Sequence, residues 1–288
     1  MATPLPPSTG PENEPVAIIT HLELLGVLGI PPHDCWNDLD CVLQQASSFS
    51  PKMLGRVRYL LRMDEFISWV TEHQSSLLLI EGNLPHSTGA VTPLSVFSST
   101  LVSSLVNSLS SIVLFFFGGL HTDEDGTSYS GPVGLIRSLI TQLLLNDKLP
   151  KPELNFLTEE FIAACEEENI KALSELFERL VLQVPSYTQV FCILDGLAWY
   201  EQHPWTSDLH YIAAMFEHLA VQMDRTRMRA LKVLVMFAGR SLDLSDRMME
   251  GPSVWKQISL AAGIVDPMQM STFTTSSEMM EYLPDGDE

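Results

Sequence analysis

The sequence predicts an α/β fold with three layers, in which helices cover both faces of a mostly parallel β-sheet. Four short, mostly apolar runs have the length of buried strands, at residues 76–80, 112–117, 190–194 and 231–238. Segments with apolar residues at helical spacing separate these runs. Because strands that alternate with helices form parallel sheets, this order predicts the fold class.

A helical N-terminal segment is predicted to precede the sheet, over residues 17–73. Residues 1–16 contain five prolines and few apolar side chains, which predicts a disordered arm. An apolar segment at 22–30 and a helical pattern at 36–46 follow. Ser50 and Pro51 are then an N-cap and a first helical residue, for a helix that reaches residue 73.

The core is predicted to span residues 74–265, with a weaker strand candidate at 257–261. Its helices are expected at 94–109, which is amphipathic, and at 132–145, 157–165, 170–182 and 209–223. Residues 266–288 are rich in Asp and Glu and are predicted to be a flexible acidic tail. The helix with Arg56, Arg58 and Arg62 is a candidate docking site for that tail, or for the tail of a neighbouring copy.

Charge and composition exclude several functions. The chain of 288 residues has 16 Lys and Arg against 36 Asp and Glu, a net charge of −20, so no nucleic-acid or anionic-membrane surface is expected. Residues 82–122 contain no charged side chain, but serines and prolines interrupt them, so no membrane span is predicted. The four cysteines form neither a disulfide nor a zinc pattern, and no secretory signal is present, which predicts a cytoplasmic protein.

Polar residues at the strand ends are the candidates for chemistry, since parallel sheets bind ligands at the carboxyl ends of their strands. Asp195 directly follows the third strand, where phosphate-handling enzymes place the carboxylate that orients Mg²⁺. Arg240 follows the fourth strand and could reach a terminal phosphate. Taken singly, an Asp-Gly pair after a strand is also ordinary turn chemistry.

Taken in order, the segments SLLLIEGN, IVLFFFGGL, GPVGLIRSLITQLL, VFCILDGLAWYE and LKVLVMFAGRS resemble P-loop NTPases of the NACHT/STAND signalling type, in their fungal form. The resemblance covers about residues 60–245 and implies that residues 74–265 are a degenerate NACHT-like core. It implies that Asp195 is the Walker B carboxylate and Mg²⁺ ligand, and that Arg240 is the sensor arginine. Arg137 lies in a segment that resembles the family's helix after strand two.

The sequence departs from that family at the phosphate-binding loop. The motif GxxxxGK[ST] is absent from the segment EGNLPHSTGA at residues 81–90, and no lysine occurs between Lys52 and Lys148. His86 is mostly neutral at pH 7 and is a poor substitute. A backbone nest around Gly82 and Gly89 could still contact a phosphate. The vestigial nucleotide site would comprise Gly82, Asn83, Gly89, Asp195 and Arg240.

Three functions follow from this departure. The first is a non-catalytic pseudo-NTPase that acts as an intracellular interaction or signalling module, without a resident cofactor, through protein partners or self-association. The second is an atypical NTPase in which Arg56, Arg58 or Arg137 replaces the lysine. The third is weak Mg²⁺-ATP or GTP binding without turnover. The missing lysine, and the absence of a second acid before Glu201, favour the first.

Overall fold

Five parallel strands form one sheet in the order β2-β3-β4-β1-β5. The computed structural model describes residues 18–84, 89–107, 110–122, 129–149, 151–226, 230–250, 254–260 and 272–282. The strands are β1 (Ser76–Glu81), β2 (Ser111–Phe117), β3 (Gln189–Asp195), β4 (Ala230–Phe237) and β5 (Trp255–Ser259). This all-parallel order is typical of P-loop NTPase folds and confirms the predicted fold class. The predicted arm at residues 1–16 lies outside the described residues, as does His86.

Helices cover both faces of the sheet because the strands carry apolar side chains in both directions. Along β1, Leu77 and Leu79 belong to one buried cluster, and Leu78 and Ile80 belong to the other. The first face is covered by α1 (His21–Leu28), α6 (Gly131–Leu144), α7 (Glu159–Glu166), α8 (Ile170–Val181), α9 (Thr206–Thr226) and α10 (Leu244–Glu250). The second face is covered by α2 (Asp34–Gln44), α3 (Pro51–Arg58), α4 (Asp64–Thr71), α5 (Pro93–Leu105) and α11 (Thr272–Tyr282).

The helix predicted over residues 51–73 is two helices. Its start is confirmed, because the Ser50 side chain accepts a hydrogen bond from the Met53 amide at 3.4 Å and Pro51 is the first helical residue. A 3-10 turn at Tyr59–Arg62 and the extended residue Met63 then separate α3 from α4. The apolar spacing continues through this break, so the pattern alone did not reveal it.

Helix α5 is buried around almost its whole circumference, so the expectation of an amphipathic helix was wrong. Helices α2, α3 and α11 pack on the side that does not contact the sheet. The helix tolerates buried hydroxyls because they donate hydrogen bonds to its own carbonyls one turn back, as Ser98 does to Leu94 at 3.0 Å and Ser104 to Thr100 at 2.8 Å.

Part of the predicted flexible tail is helical, which corrects that prediction for residues 272–282. Helix α11 packs against α5 and α4, and Glu278 forms an ion pair with Arg58. The acidic segment therefore docks on the basic helix that the sequence suggested as its site. Residues 266–271 and 283–288 lie outside the described part. Among the described helices, none has the length and apolar character needed to cross a bilayer.

Candidate functional site

The carboxyl ends of β3, β4 and β1 lie side by side and bring the predicted site residues to one edge of the sheet. Asp195 pairs in register with Met236, and Glu81 pairs with Phe237. Asp195 and Gly82 therefore flank the exit of β4, which continues to Arg240. The sequence analysis placed its candidate residues at these strand ends.

Asp195 is enclosed at this edge, with only 2% of its surface exposed. Burial raises its pKa from 3.8 to about 7, and hydrogen bonds from the Ser95 hydroxyl and the Gly196 amide offset only part of that shift. Burial therefore favours the protonated, uncharged form of this carboxyl group. Within the described part of the chain, no group of three or more His, Cys, Asp or Glu side chains is arranged to hold a metal ion.

The residues that directly follow β1 use their amides within the protein. The amides of Gly82, Asn83 and Leu84 donate to the carbonyls of Phe237, Gly239 and Ala238 at 2.7, 3.3 and 2.8 Å. A phosphate could bind these three amides only if the hydrogen bonds to the β4 exit broke. Gly82 is also required for packing, since a Cβ there would lie 2.8 Å from the Ala238 carbonyl oxygen.

The described end of the same loop, residues 89–92, contacts the segment that follows β2. Gly89 is exposed, but the Ala90 carbonyl lies against Gly119, where a Cβ would come within 2.0 Å of its oxygen. Thr92 then caps α5, and Ser95 in the first turn of this helix reaches Asp195. The described end of the loop thus packs beside the strand ends at which a parallel sheet of this kind would take a ligand.

Arg240 is exposed, and the backbone that follows it is fixed by two buried carboxylates. The Ser241 amide donates to Glu81 at 3.0 Å. Glu201 accepts hydrogen bonds from the Ser241 hydroxyl and from the amides of Leu242 and Leu244, at 2.8 and 2.9 Å for the two amides. Glu201 therefore holds the start of α10, a structural role that its position in the sequence did not indicate.

Of the three arginines considered as substitutes for the lysine, only Arg56 lies beside the loop. Its Nη2 donates to the Leu260 carbonyl at 3.0 Å, and the Asn83 side chain approaches the same carbonyl at 3.4 Å. Arg137 instead donates to Leu28 O at 2.7 Å and pairs with Glu168, on the other face of the sheet. Arg58 is paired with Glu278.

Comparison with known families agrees with this core. Residues 55–236, well over half of the chain, match the family described as nephrocystin 3, N-terminal. The chain belongs to this family. The nephrocystin 3 N-terminal match runs from α3 into β4 and includes Gly82, Asn83, Gly89 and Asp195, while Arg240 lies beyond it. Comparison with curated proteins and with solved structures found no match.

Ser95 is the residue of this edge that the sequence analysis missed. It lies in a serine-rich helix in which no single serine stands out by spacing. Its proximity to Asp195 arises only because α5 packs over β3. The sequence did offer one signal for Ser95, namely its position in the first turn of the helix that follows the first strand. P-loop proteins place the Ser or Thr that binds Mg²⁺ at this position.

Proposed function

We propose that this member of the nephrocystin 3 N-terminal family is a non-catalytic pseudo-NTPase of NACHT/STAND type, which acts as an interaction or signalling module through protein partners or self-association. The enclosure of Asp195 carries the proposal. Phosphoryl transfer needs an ionised carboxylate for Mg²⁺ and a cation on the phosphates. Here the carboxylate is 2% exposed with a pKa of about 7, and the loop sequence lacks lysine.

The direction of the loop amides also supports the proposal. A phosphate-binding loop depends on amides that point at the ligand. In this chain the amides of Gly82, Asn83 and Leu84 stabilise the exit of β4 instead. The segment that binds nucleotide in an active P-loop protein therefore has a structural function in the proposed scaffold.

Binding of ATP with Mg²⁺, measured by calorimetry and by thermal shift on the purified chain, tests the proposal. We expect neither heat nor a shift in Tm at millimolar nucleotide, and the same result for Asp195→Ala. A ligand present at about 100 times its Kd would stabilise the protein by about 2.7 kcal/mol, which a melting curve resolves. A Mg²⁺-dependent shift that disappears in Asp195→Ala would contradict the proposal.

The alternative is a nucleotide-binding protein with weak or no hydrolysis, and two contacts favour it. Ser95 lies near Asp195 in the first turn of α5, where P-loop proteins place the hydroxyl that binds Mg²⁺, and Arg56 lies beside Asn83. On this alternative, Arg56→Gln weakens nucleotide binding, whereas Arg62→Gln, at an exposed arginine of the same basic segment, does not. Equal effects of the two substitutions would indicate general charge attraction and contradict this alternative.

A further inference from the structure

Helix α11 occupies a defined seat formed by α5, α4 and α3. Thr275 is fully buried there, and the Ser276 hydroxyl lies 2.7 Å from the hydroxyl of Ser104 on α5. Tyr282 packs against the apolar cluster of this face of the sheet. These contacts place α11 in one position along α5 and in one orientation.

An ion pair between α3 and α11 requires that the helix in this seat carries an acidic residue. Arg58 is fully buried in α3, whereas the side chain of its partner Glu278 keeps 33% of its surface exposed. The buried guanidinium belongs to the core, and the carboxylate comes from the helix that covers it. Because a buried charge needs a partner of opposite sign, any helix that replaced α11 would have to bring an acid to this point.

The interface between α11 and the core contains several hydroxyl groups. Hydroxyls of Ser104, Thr275 and Ser276 lie within it, and the Thr275 Oγ1 atom has no hydrogen-bond partner among the described residues. Interfaces between parts that separate and rejoin are more polar than those between parts that never do. Hydroxyl groups and an ion pair therefore contribute to the contact between α11 and the core, beside the apolar contact of Tyr282.

We propose that this seat is an exchangeable docking surface for an acidic helix, and that it takes the α11 of a second copy of the chain. Helix α11 already fits the seat in shape, hydrogen bonding and charge. Two copies carry the same seat and the same helix, so a reciprocal exchange fills both seats without a new interface. This inference does not depend on whether the strand-end site binds nucleotide.

Charge reversal in two separate chains tests the exchange. One full-length chain carries Arg58→Glu and the other carries Glu278→Arg, so within each chain the seat and the helix have like charges. In a mixture, each seat meets a helix of opposite charge only by exchange. We expect each variant alone to be monomeric by light scattering, and the mixture to form a heterodimer detectable by native mass spectrometry.

A matched control uses Glu281→Arg in place of Glu278→Arg, since Glu281 is an exposed acid on the same helix. Mixing that chain with Arg58→Glu is expected to give no heterodimer. The proposal is wrong if the mixture of Arg58→Glu and Glu278→Arg chains also stays monomeric while the double variant Arg58→Glu/Glu278→Arg regains normal stability. That result would show that the ion pair forms only within one chain.

Milder variants keep the proposal testable if a reversed charge prevents folding. The full-length chain with Glu278→Gln is expected to keep its fold and to bind its own α11 more weakly. A fluorescent peptide of residues 270–284 is expected to bind this chain at least ~10-fold more tightly than the same peptide with Glu278→Gln, the difference that one charge-assisted contact supplies. Equal affinity of the two peptides would overturn the proposal.

Discussion

Replacing Asp195 by Asn is expected to stabilise the protein at neutral pH, although it removes the carboxylate that the family resemblance assigns to Mg²⁺. The folded pKa is about 7 and the ordinary value is 3.8. Between these pH values the unfolded chain releases a proton that the folded chain keeps, so the free energy of unfolding falls as the pH rises. About three pKa units at about 1.4 kcal/mol each give up to about 4 kcal/mol at pH 7 and above.

Asn avoids that cost because it is neutral and has nearly the same shape as Asp. Its side-chain oxygen can still accept a hydrogen bond from the nearby Ser95 hydroxyl, which lowers the pKa of the carboxylate in the wild type. The variant should therefore be more stable than the wild type by about 2–4 kcal/mol at about pH 8. At about pH 4 the difference should be less than about 1 kcal/mol, because the folded chain keeps Asp195 protonated and the unfolded chain has only partly released that proton.

Urea unfolding at the two pH values, followed by tryptophan fluorescence, measures the difference. Glu201→Gln is the matched control, because this buried acid accepts several hydrogen bonds from residues 241–244. It should lose about 1.5–3 kcal/mol at about pH 8. If Asp195→Asn is also destabilised there, the Asp195 carboxylate is ionised and its hydrogen bonds outweigh burial, which refutes the reasoning.

Two further predictions concern the loop that follows β1 and the amino-terminal end of β4, and the same unfolding measurement tests both. Gly119→Ala places a Cβ 2.0 Å from the Ala90 oxygen and should lower the free energy of unfolding by about 3 kcal/mol. The control is Gly26→Ala inside α1, where a Cβ meets no atom within 4 Å, and it should raise the free energy of unfolding by up to about 1 kcal/mol. Equal effects of the two substitutions would show that the loop does not pack against Gly119. Lys232 is fully buried, donates to Ser76 at 3.0 Å, and has its pKa lowered by burial from 10.5 to about 8. Between these values the folded chain has lost a proton that the unfolded chain keeps, so stability should rise by about 3 kcal/mol. Lys232→Met should abolish that rise, and a rise that persists in the variant would assign it to another group.

The strand-end residues show how far the sequence leads at the candidate site. Each acid or glycine followed an apolar run, and parallel strands end at one edge, so the adjacency of Gly82, Asp195 and Arg240 could be predicted. The sequence could not predict the direction of the amides after β1 or the enclosure of Asp195. Both depend on the β4 exit and on the loop that reaches Gly119, which are remote in sequence.

By itself, the sequence determined the strands, the parallel sheet and the absence of the phosphate-binding lysine, because run length and residue identity are local properties. Only the tertiary structure decided that α5 is buried on its outer side, that burial raises the pKa of Asp195 and that α11 docks on the core. Arg58 and Glu278 are 220 residues apart. A pair that distant forms only when the chain has folded, because burial and charge pairing depend on the residues that packing brings near and not on those adjacent in sequence.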